Sequence, residues 1–511
     1  DGYGDAAAPL STCTTPTGYV SDATDCDDDA AGTNPGADEA AYDAADNDCD
    51  AILDEMVAAD ETWWTVLGDR ASDAIGSGGV HLTEDLDADG LPELVIASGY
   101  VNTLTATDIG LLAFHNVDDA GFDMAVTDGW FEAYGNNGDD YFGSAFAVLG
   151  DVDGGEEEVV VGAYQNDVDN TDDGTVYVFD VNGSWGWDYG SSVAEGAIYM
   201  DTTNSWTGYS VAVGDFDGDG VNEVATGAPG EQSGKGQVYV SFLSDGFTTG
   251  AIDNDASQFW IRGVSNNDHL GYSVAIGELT GDGYDDLVAC SPDDDDAGSN
   301  SGTCWIVTGA STRGTSTSIM GSTVSSVDTA VITGGAASDQ LGKTPHSLSV
   351  GDFDGDTLPD LAVGMPGHDG SVTDGGAVLV YRNGTLSGAE TSATAAWLVR
   401  GDGALGTAVS MTGDVTGDGA VDLLAGATTA GAADEGVVYL LAGGTAAGTW
   451  TLPTDQDASW VGETAGDLFG AAVSGLRDLD GDGVLDFAVA ATGNDDTASG
   501  AGKIYVLPAY R

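Results

Sequence analysis

The residues best placed to do chemistry in this chain are carboxylates set two positions apart. Asp215, Asp217, Asp219 and Glu223 stand at positions 1, 3, 5 and 9 of a short loop. The same spacing returns at Asp85, Asp87, Asp89 and Glu93, at Asp352, Asp354, Asp356 and Asp360, and at Asp478, Asp480, Asp482 and Asp486. Two more copies place a threonine second: Glu278, Thr280, Asp282 and Asp286, and Asp414, Thr416, Asp418 and Asp422. With the backbone carbonyl at position 7 added, such a loop can wrap a hard cation that takes roughly six to eight oxygens. Those carbonyls belong to Leu91, Val221, Tyr284, Leu358, Ala420 and Val484. Carboxylates this close repel one another unless a cation neutralises them. The expected cofactor is therefore calcium, about six ions, in a structural role. Glycine at position 6 permits the tight backbone everywhere except the Asp352 loop, where Thr357 sits. A seventh copy at Asp151 and Asp153 is one residue short, and Gly155 removes its third ligand, so weak or no binding is expected there.

Composition supports oxygen chemistry over helices. The chain has 511 residues, with 87 Asp plus Glu against 10 Lys plus Arg, for a formal charge of −77. Of the acids, 71 are Asp and only 16 Glu, and Asp suits turns and oxygen-ligand sites where Glu suits solvated helices. This field repels phosphate, which sets aside nucleic acid and an anionic membrane surface as partners. No apolar run reaches the roughly 20 residues that cross a bilayer. The five histidines fall at unrelated phases of the repeat, and there is no HExxH, GxSxG or P-loop, so the chain reads as a non-enzyme.

The loops start at residues 85, 151, 215, 278, 352, 414 and 478, a period of 62 to 74 residues. Each unit reads as four short strands: a small-residue stretch such as YSVAVG (209–214), the acidic loop, then runs such as EVATGA (223–228), GQVYVSF (236–242) and FWIRG (259–263). Seven four-stranded units predict an all-β, seven-bladed propeller. The last unit stops at its third strand, and ETWWTVLG (61–68) resembles a fourth, so it is expected to complete the seventh blade and leave no free edge. Aligning the units puts Cys290 where Gly227 ends a second strand and Cys304 where Val238 lies in the third, which allows a disulfide; two buried thiols are the alternative.

The units resemble FG-GAP repeats, the blades of the integrin α-subunit propeller and of many bacterial surface proteins. The resemblance rests on Phe142-Gly143, Leu270-Gly271, Leu341-Gly342, Leu405-Gly406 and Phe469-Gly470 before the loop, and on Gly227-Ala228-Pro229 and Gly364-Met365-Pro366 after it. It covers about residues 60 to 511, and it implies ligand binding on the face opposite the calcium loops. Residues 22–55 resemble a MopE-type metal-binding motif of secreted and surface proteins of Gram-negative bacteria, carried by Asp25-Cys26-Asp27, Asn34-Pro35-Gly36-Ala37 and Asp46-Asn47-Asp48-Cys49-Asp50. There Asp46, Asp48, Asp50 and Asp54, with the carbonyl of Ile52, repeat the ligand spacing and add one or more ions. Cys13, Cys26 and Cys49 allow one bridge with one thiol left over.

The expected organisation is a metal-binding stalk over 1–58 and a propeller over 59–511. The expected function is a calcium-stabilised extracellular or cell-surface adhesion scaffold, held through its N-terminal side. A protein or glycan partner would meet the variable loops 164–174, 291–302, 365–376 and 492–502. The alternatives are a carbohydrate-binding propeller, for which Trp185 and Trp187 could stack a sugar, and a secreted hydrolase.

Overall fold

The computed structural model describes residues 55–57 and 64–509, apart from 84, 87–91, 104–105, 117–123, 127–128, 130, 153–156, 168–170, 182–187, 190–193, 195, 200–201, 244–249, 254–258, 312–316, 320–329, 371, 445 and 480–483. Seven sheets stand in a ring, each built on four antiparallel strands in chain order. In the third blade these are Ser210–Gly214, Glu223–Ala228, Gln237–Ser241 and Phe259–Arg262. The ring closes as expected. Trp64–Leu67 pairs antiparallel with Lys503–Ala509, Trp64 opposite Val506, and becomes the outer strand of blade seven. The one helical segment among the described residues, Glu231–Gly234, is a four-residue turn with left-handed Gln232 and Ser233.

Each sheet also carries a fifth strand that the sequence reading of four did not anticipate. It runs parallel to the outer strand and comes from the next unit, between that unit's third and fourth strands. Gly250–Asp253 adds to blade two, Thr317–Ile319 to blade three, Gly388–Thr391 to blade four and Gly448–Thr451 to blade five. Glu55–Val57 completes the pattern on blade six, pairing with Ser459–Val461. These strands span two to four residues and attach through backbone hydrogen bonds, so they leave no hydrophobic alternation to read.

The apolar cores lie between blades. One cluster joins blades six and seven through Trp460, Phe469, Phe487 and Tyr505; another joins five and six through Phe353, Trp397 and Tyr439. The two glycines of the repeat have one reason between them. The glycine before the acidic loop is left-handed in all seven blades, as at Gly208 (φ 89°) and Gly271 (φ 93°). Its carbonyl presses on the second-strand glycine of the preceding blade: a Cβ on Gly227 would lie 2.1 Å from the Gly271 oxygen, and one on Gly364 1.9 Å from that of Gly406. Blades can approach this closely only where both residues lack a side chain.

In blade four the second-strand glycine is replaced by Cys290, which lies opposite Cys304 in the ladder and is bonded to it. First strands line a central cavity of about 410 Å³ with small and β-branched residues such as Ala147, Val211 and Val409. His81 and His346 also face it, and the His346 Nε2 lies 3.3 Å from the Ser77 carbonyl, linking blade five to blade one. The expected N-terminal ligands Asp46, Asp48, Asp50, Ile52 and Asp54, the cysteines Cys13, Cys26 and Cys49, and Trp185 and Trp187 lie outside the described residues.

Candidate metal centres and the opposite face

Every acidic loop is built around its last carboxylate, at position 9 or, in the shortened second loop, position 8. That side chain accepts a hydrogen bond from the position-2 N–H in all seven blades: Glu93 from Leu86, Glu158 from Val152, Glu223 from Phe216, Asp286 from Leu279, Asp360 from Phe353, Asp422 from Val415 and Asp486 from Leu479, at 2.6 to 3.1 Å. The position-2 side chains turn into the core, and Phe216, Leu279 and Phe353 are wholly buried. Position 1 closes the loop from the other side. Asp215 accepts from Gly220, Asp352 from Thr357 and Asp414 from Gly419, at 2.8 to 3.1 Å. Position 5 accepts from position 7, as Asp219 from Val221, Asp282 from Tyr284, Asp356 from Leu358 and Asp418 from Ala420. Positions 4 and 6 are left-handed: Gly218 and Gly220 at 74° and 91°, Gly355 and Thr357 at 76° and 78°.

These bonds gather carboxylates around one point. The ligand oxygens of Asp215, Asp217 and Glu223 lie within 4.8 Å of one another, as do those of Asp352, Asp354 and Asp356. In blade three the free oxygens fit a cation: Asp215 Oδ1 and Glu223 Oε1 are buried without a hydrogen-bond partner. Burial, then the charge of Asp217, pushes the Glu223 carboxyl up to about 8, the response of an acid whose charge has no counter-ion. Burial likewise raises Asp286 and Asp360 to about 6. In blade five Arg382 Nε sits 2.8 Å from Asp354 and would share that oxygen with an ion. Of the first and seventh loops the described members are Asp85 and Glu93, and Asp478, Val484 and Asp486; of the second, Asp151 and Glu158. Asp87, Asp89, Leu91, Asp153, Gly155, Asp480 and Asp482 lie outside the described residues.

The FG-GAP repeat model matches residues 207–241, 344–381 and 469–507, each spanning a first strand, an acidic loop and the strands after it. The chain carries FG-GAP repeats. It is 27 % identical to integrin alpha-V of Gallus gallus over 338 residues, 63 % of this chain and 30 % of that protein. It is 29 % identical to integrin alpha-5 of Xenopus laevis over 241 residues, 45 % of this chain and 21 % of that one. A 101-residue stretch is 36 % identical to integrin alpha-PS2 of Drosophila melanogaster, 20 % of this chain and 6 % of that one. The chain thus spans less than a third of each of these relatives.

Antiparallel order puts the acidic loops of the FG-GAP repeats on one face and the second-to-third loops on the other, beside the connections between blades. Two features of that second face were not read from the sequence. One is a run of aromatic rings across blades one to four. Tyr100, Tyr141, Tyr164, Tyr209 and Tyr272 follow one another at centroid distances of 5.4, 5.0, 5.2 and 4.6 Å. His269 continues it at 5.7 Å, and Lys343 Nζ lies 5.2 Å above the Tyr272 ring. The rings come from several phases of the repeat, before and after the Phe-Gly and after the second strand, so no single column of an alignment displays them.

The other feature is a latch. Two residues before the FG-GAP Phe-Gly, a buried acid holds the second-to-third loop of its own blade. Asn102 Nδ2 donates to Asp73 at 3.1 Å, Asn166 Nδ2 to Asp140 at 3.0 Å and Asn494 Nδ2 to Asp467 at 3.0 Å. In blade five His368 Nδ1 takes the amide's place, 3.1 Å from Asp339. The signal for it was present at nearly one phase, two residues before Phe-Gly and eight or nine after the last acid of the loop, but its meaning depends on the two positions meeting in space.

Proposed function

We propose that the chain is a calcium-stabilised extracellular scaffold that presents its variable-loop face to a partner. The reading rests on one observation, the division between the two faces. One face repeats a single carboxylate loop with little variation outside blade two, which suits a structural ion in six of the seven blades. The other carries loops that differ in every blade on a shared framework, where binding function generally resides. The integrin alpha relatives agree with a binding scaffold. Calcium would be held by Asp215, Asp217, Asp219, Glu223 and the Val221 carbonyl in blade three, with the matching sets in blades one and four to seven. The ion supplies charge neutralisation and loop rigidity, and the protein supplies the surface. Given the charge of −77, the partner would engage through basic groups or through metal.

The test replaces the loops 164–174, 291–302, 365–376 and 492–502 together by short Gly-Ser turns. Binding to a panel of extracellular-matrix proteins and a glycan array is then compared in calcium. The expected outcome is lost binding by a propeller that still folds and still responds to calcium. Binding unaltered by all four replacements overturns the assignment of the face.

A glycan partner is the second reading, favoured by the aromatic run, because aromatic faces stack on sugar rings. Retention on the glycan array with no protein ligand would select it.

A further inference from the structure

The latch takes a different form in blade four. The position that holds Asn166 in blade two and Asn494 in blade seven is Asp294 there, and its counterpart is Asp268. Both are buried, at 5 % and 7 % exposure. Asp294 is already tied to its own loop, accepting from Thr303 Oγ1 at 2.9 Å and from the Asp296 N–H at 3.0 Å. Asp268 accepts from the Ser265 N–H at 3.2 Å and keeps its backbone carbonyl on Ser291 Oγ at 2.6 Å. By repeat position Asp268 and Asp294 take the places of the acid and the amide that pair in blades one, two and seven, and the charge of Asp294 acts on the Asp268 carboxyl. An ionised pair repels, whereas a singly protonated pair can form the missing hydrogen bond.

We propose that Asp268 and Asp294 form a proton-operated latch that pins the 291–302 loop in acid and loosens it as the pH rises toward neutral. The proton does the work of the amide: held by one carboxyl, it bridges to the other and ties the loop to the connection ahead of the blade. The remaining charged groups around the pair do not supply a donor. Asp296 and Asp295 flank Asp294 and add negative charge. Asp295 is spent on the Asn300 N–H at 2.8 Å. The basic side chains His269 and Lys343 are both engaged with Asp293, at 2.8 and 3.4 Å. Burial, then the charge of Asp294, raises the Asp268 carboxyl to about 6. An acid with a folded-state value above its unfolded value contributes fully below the unfolded value and loses that contribution as the pH climbs through the folded one. The window is therefore about pH 4 to 6, and the loop is loosest above it. This proposal rests on the pairing alone and stands whatever the partner of the face proves to be.

Hydrogen exchange of the full chain between pH 5 and 7.5 tests it, with excess calcium throughout and rates corrected for intrinsic pH dependence. Protection of amides in 291–302 should fall about tenfold across that range, following the protonated fraction of a group near 6. Protection in 164–174, latched by Asn166, should stay level. Asp294→Asn restores the amide and should hold 291–302 protected at every pH, and Asp268→Asn provides the mirror swap should the first variant fold poorly. A level profile in the wild type would mean that the pair is held by calcium or needs no proton, and overturns the latch. So does a variant that keeps the wild-type pH dependence.

Discussion

At the residue scale, the ninth-position acid and the fifth-position acid of one loop have separable jobs. Asp422 accepts from Val415 at 2.6 Å, Thr416 at 3.0 Å and Gly443 at 2.7 Å, so it organises backbone with or without an ion. Asp418 accepts within its own turn, from Ala420 at 2.9 Å, and is the fifth-position carboxylate that a bound ion would draw on. Asp422→Ala leaves three N–H groups without their acceptor and should cost about 3 kcal/mol or more in chelator as well as in calcium. Asp418→Ala should destabilise in calcium and be nearly silent in chelator. Urea unfolding of both variants in both conditions checks this, and an Asp422 effect that vanishes in chelator would show that the acid serves the ion alone. Thr357 offers a second check, since it alone holds position 6 of a described loop with a β-branched side chain at φ 78°. Thr357→Gly should stabilise by about 1 kcal/mol, the strain of such a residue in the left-handed region; a loss of stability would mean that its hydroxyl or methyl makes up for that strain.

At the element scale, the cross-strand bond between Cys290 and Cys304 closes a short loop around the variable segment 291–302. With a sequence separation of 14, its removal as a double alanine variant should cost about 3 kcal/mol, mainly by freeing the unfolded chain. Thiol labelling of unreduced, unfolded protein should find neither cysteine reactive, and labelling of both would exclude the bond. This pair was legible in the sequence because the repeat supplies its own register: Gly227 and Val238 do face each other in blade three, so Cys290 and Cys304 must face each other in blade four. The four strands, the carboxylate loops and the closing strand were legible for the same reason, since seven copies average out local ambiguity. The fifth strands were not. Gly388–Thr391, read as GAET, has neither β-branched alternation nor a buried face, and only its backbone pairing with blade four makes it a strand. The latch and the aromatic run escaped for a related reason, because each depends on side chains from separate connections meeting on one face, which spacing along the chain does not encode.

At the scale of the whole molecule, stability depends on closing the ring, and the N-terminal side of the propeller closes it twice. Trp64–Leu67 fills the outer place of blade seven, where Trp64 is fully buried in the cluster that joins blades seven and one. Glu55–Val57 instead lies on the outer edge of blade six, in the place other units fill from their third-to-fourth connection. The two strands should therefore fail differently. Removing residues up to Glu61 takes away one short parallel strand, exposes the edge of Ala458–Val461 and leaves the ring intact. That protein should stay monomeric and melt a few degrees lower, as expected for the loss of a few backbone bonds. Removing residues up to Gly68 opens the ring itself. It bares the length of Lys503–Ala509 as an unpaired edge and uncovers Ile504 and Val506, both buried in the closed form. An exposed apolar edge of that kind pairs with another chain, so this second truncation should elute as dimers and larger species. Supplying a peptide of residues 61–68 in trans should return part of it to the monomer by restoring the missing strand. Size-exclusion chromatography of the two truncations side by side decides the matter: equal monomer content in both would mean that the ring holds without its closing strand, and that the interfaces between blades suffice.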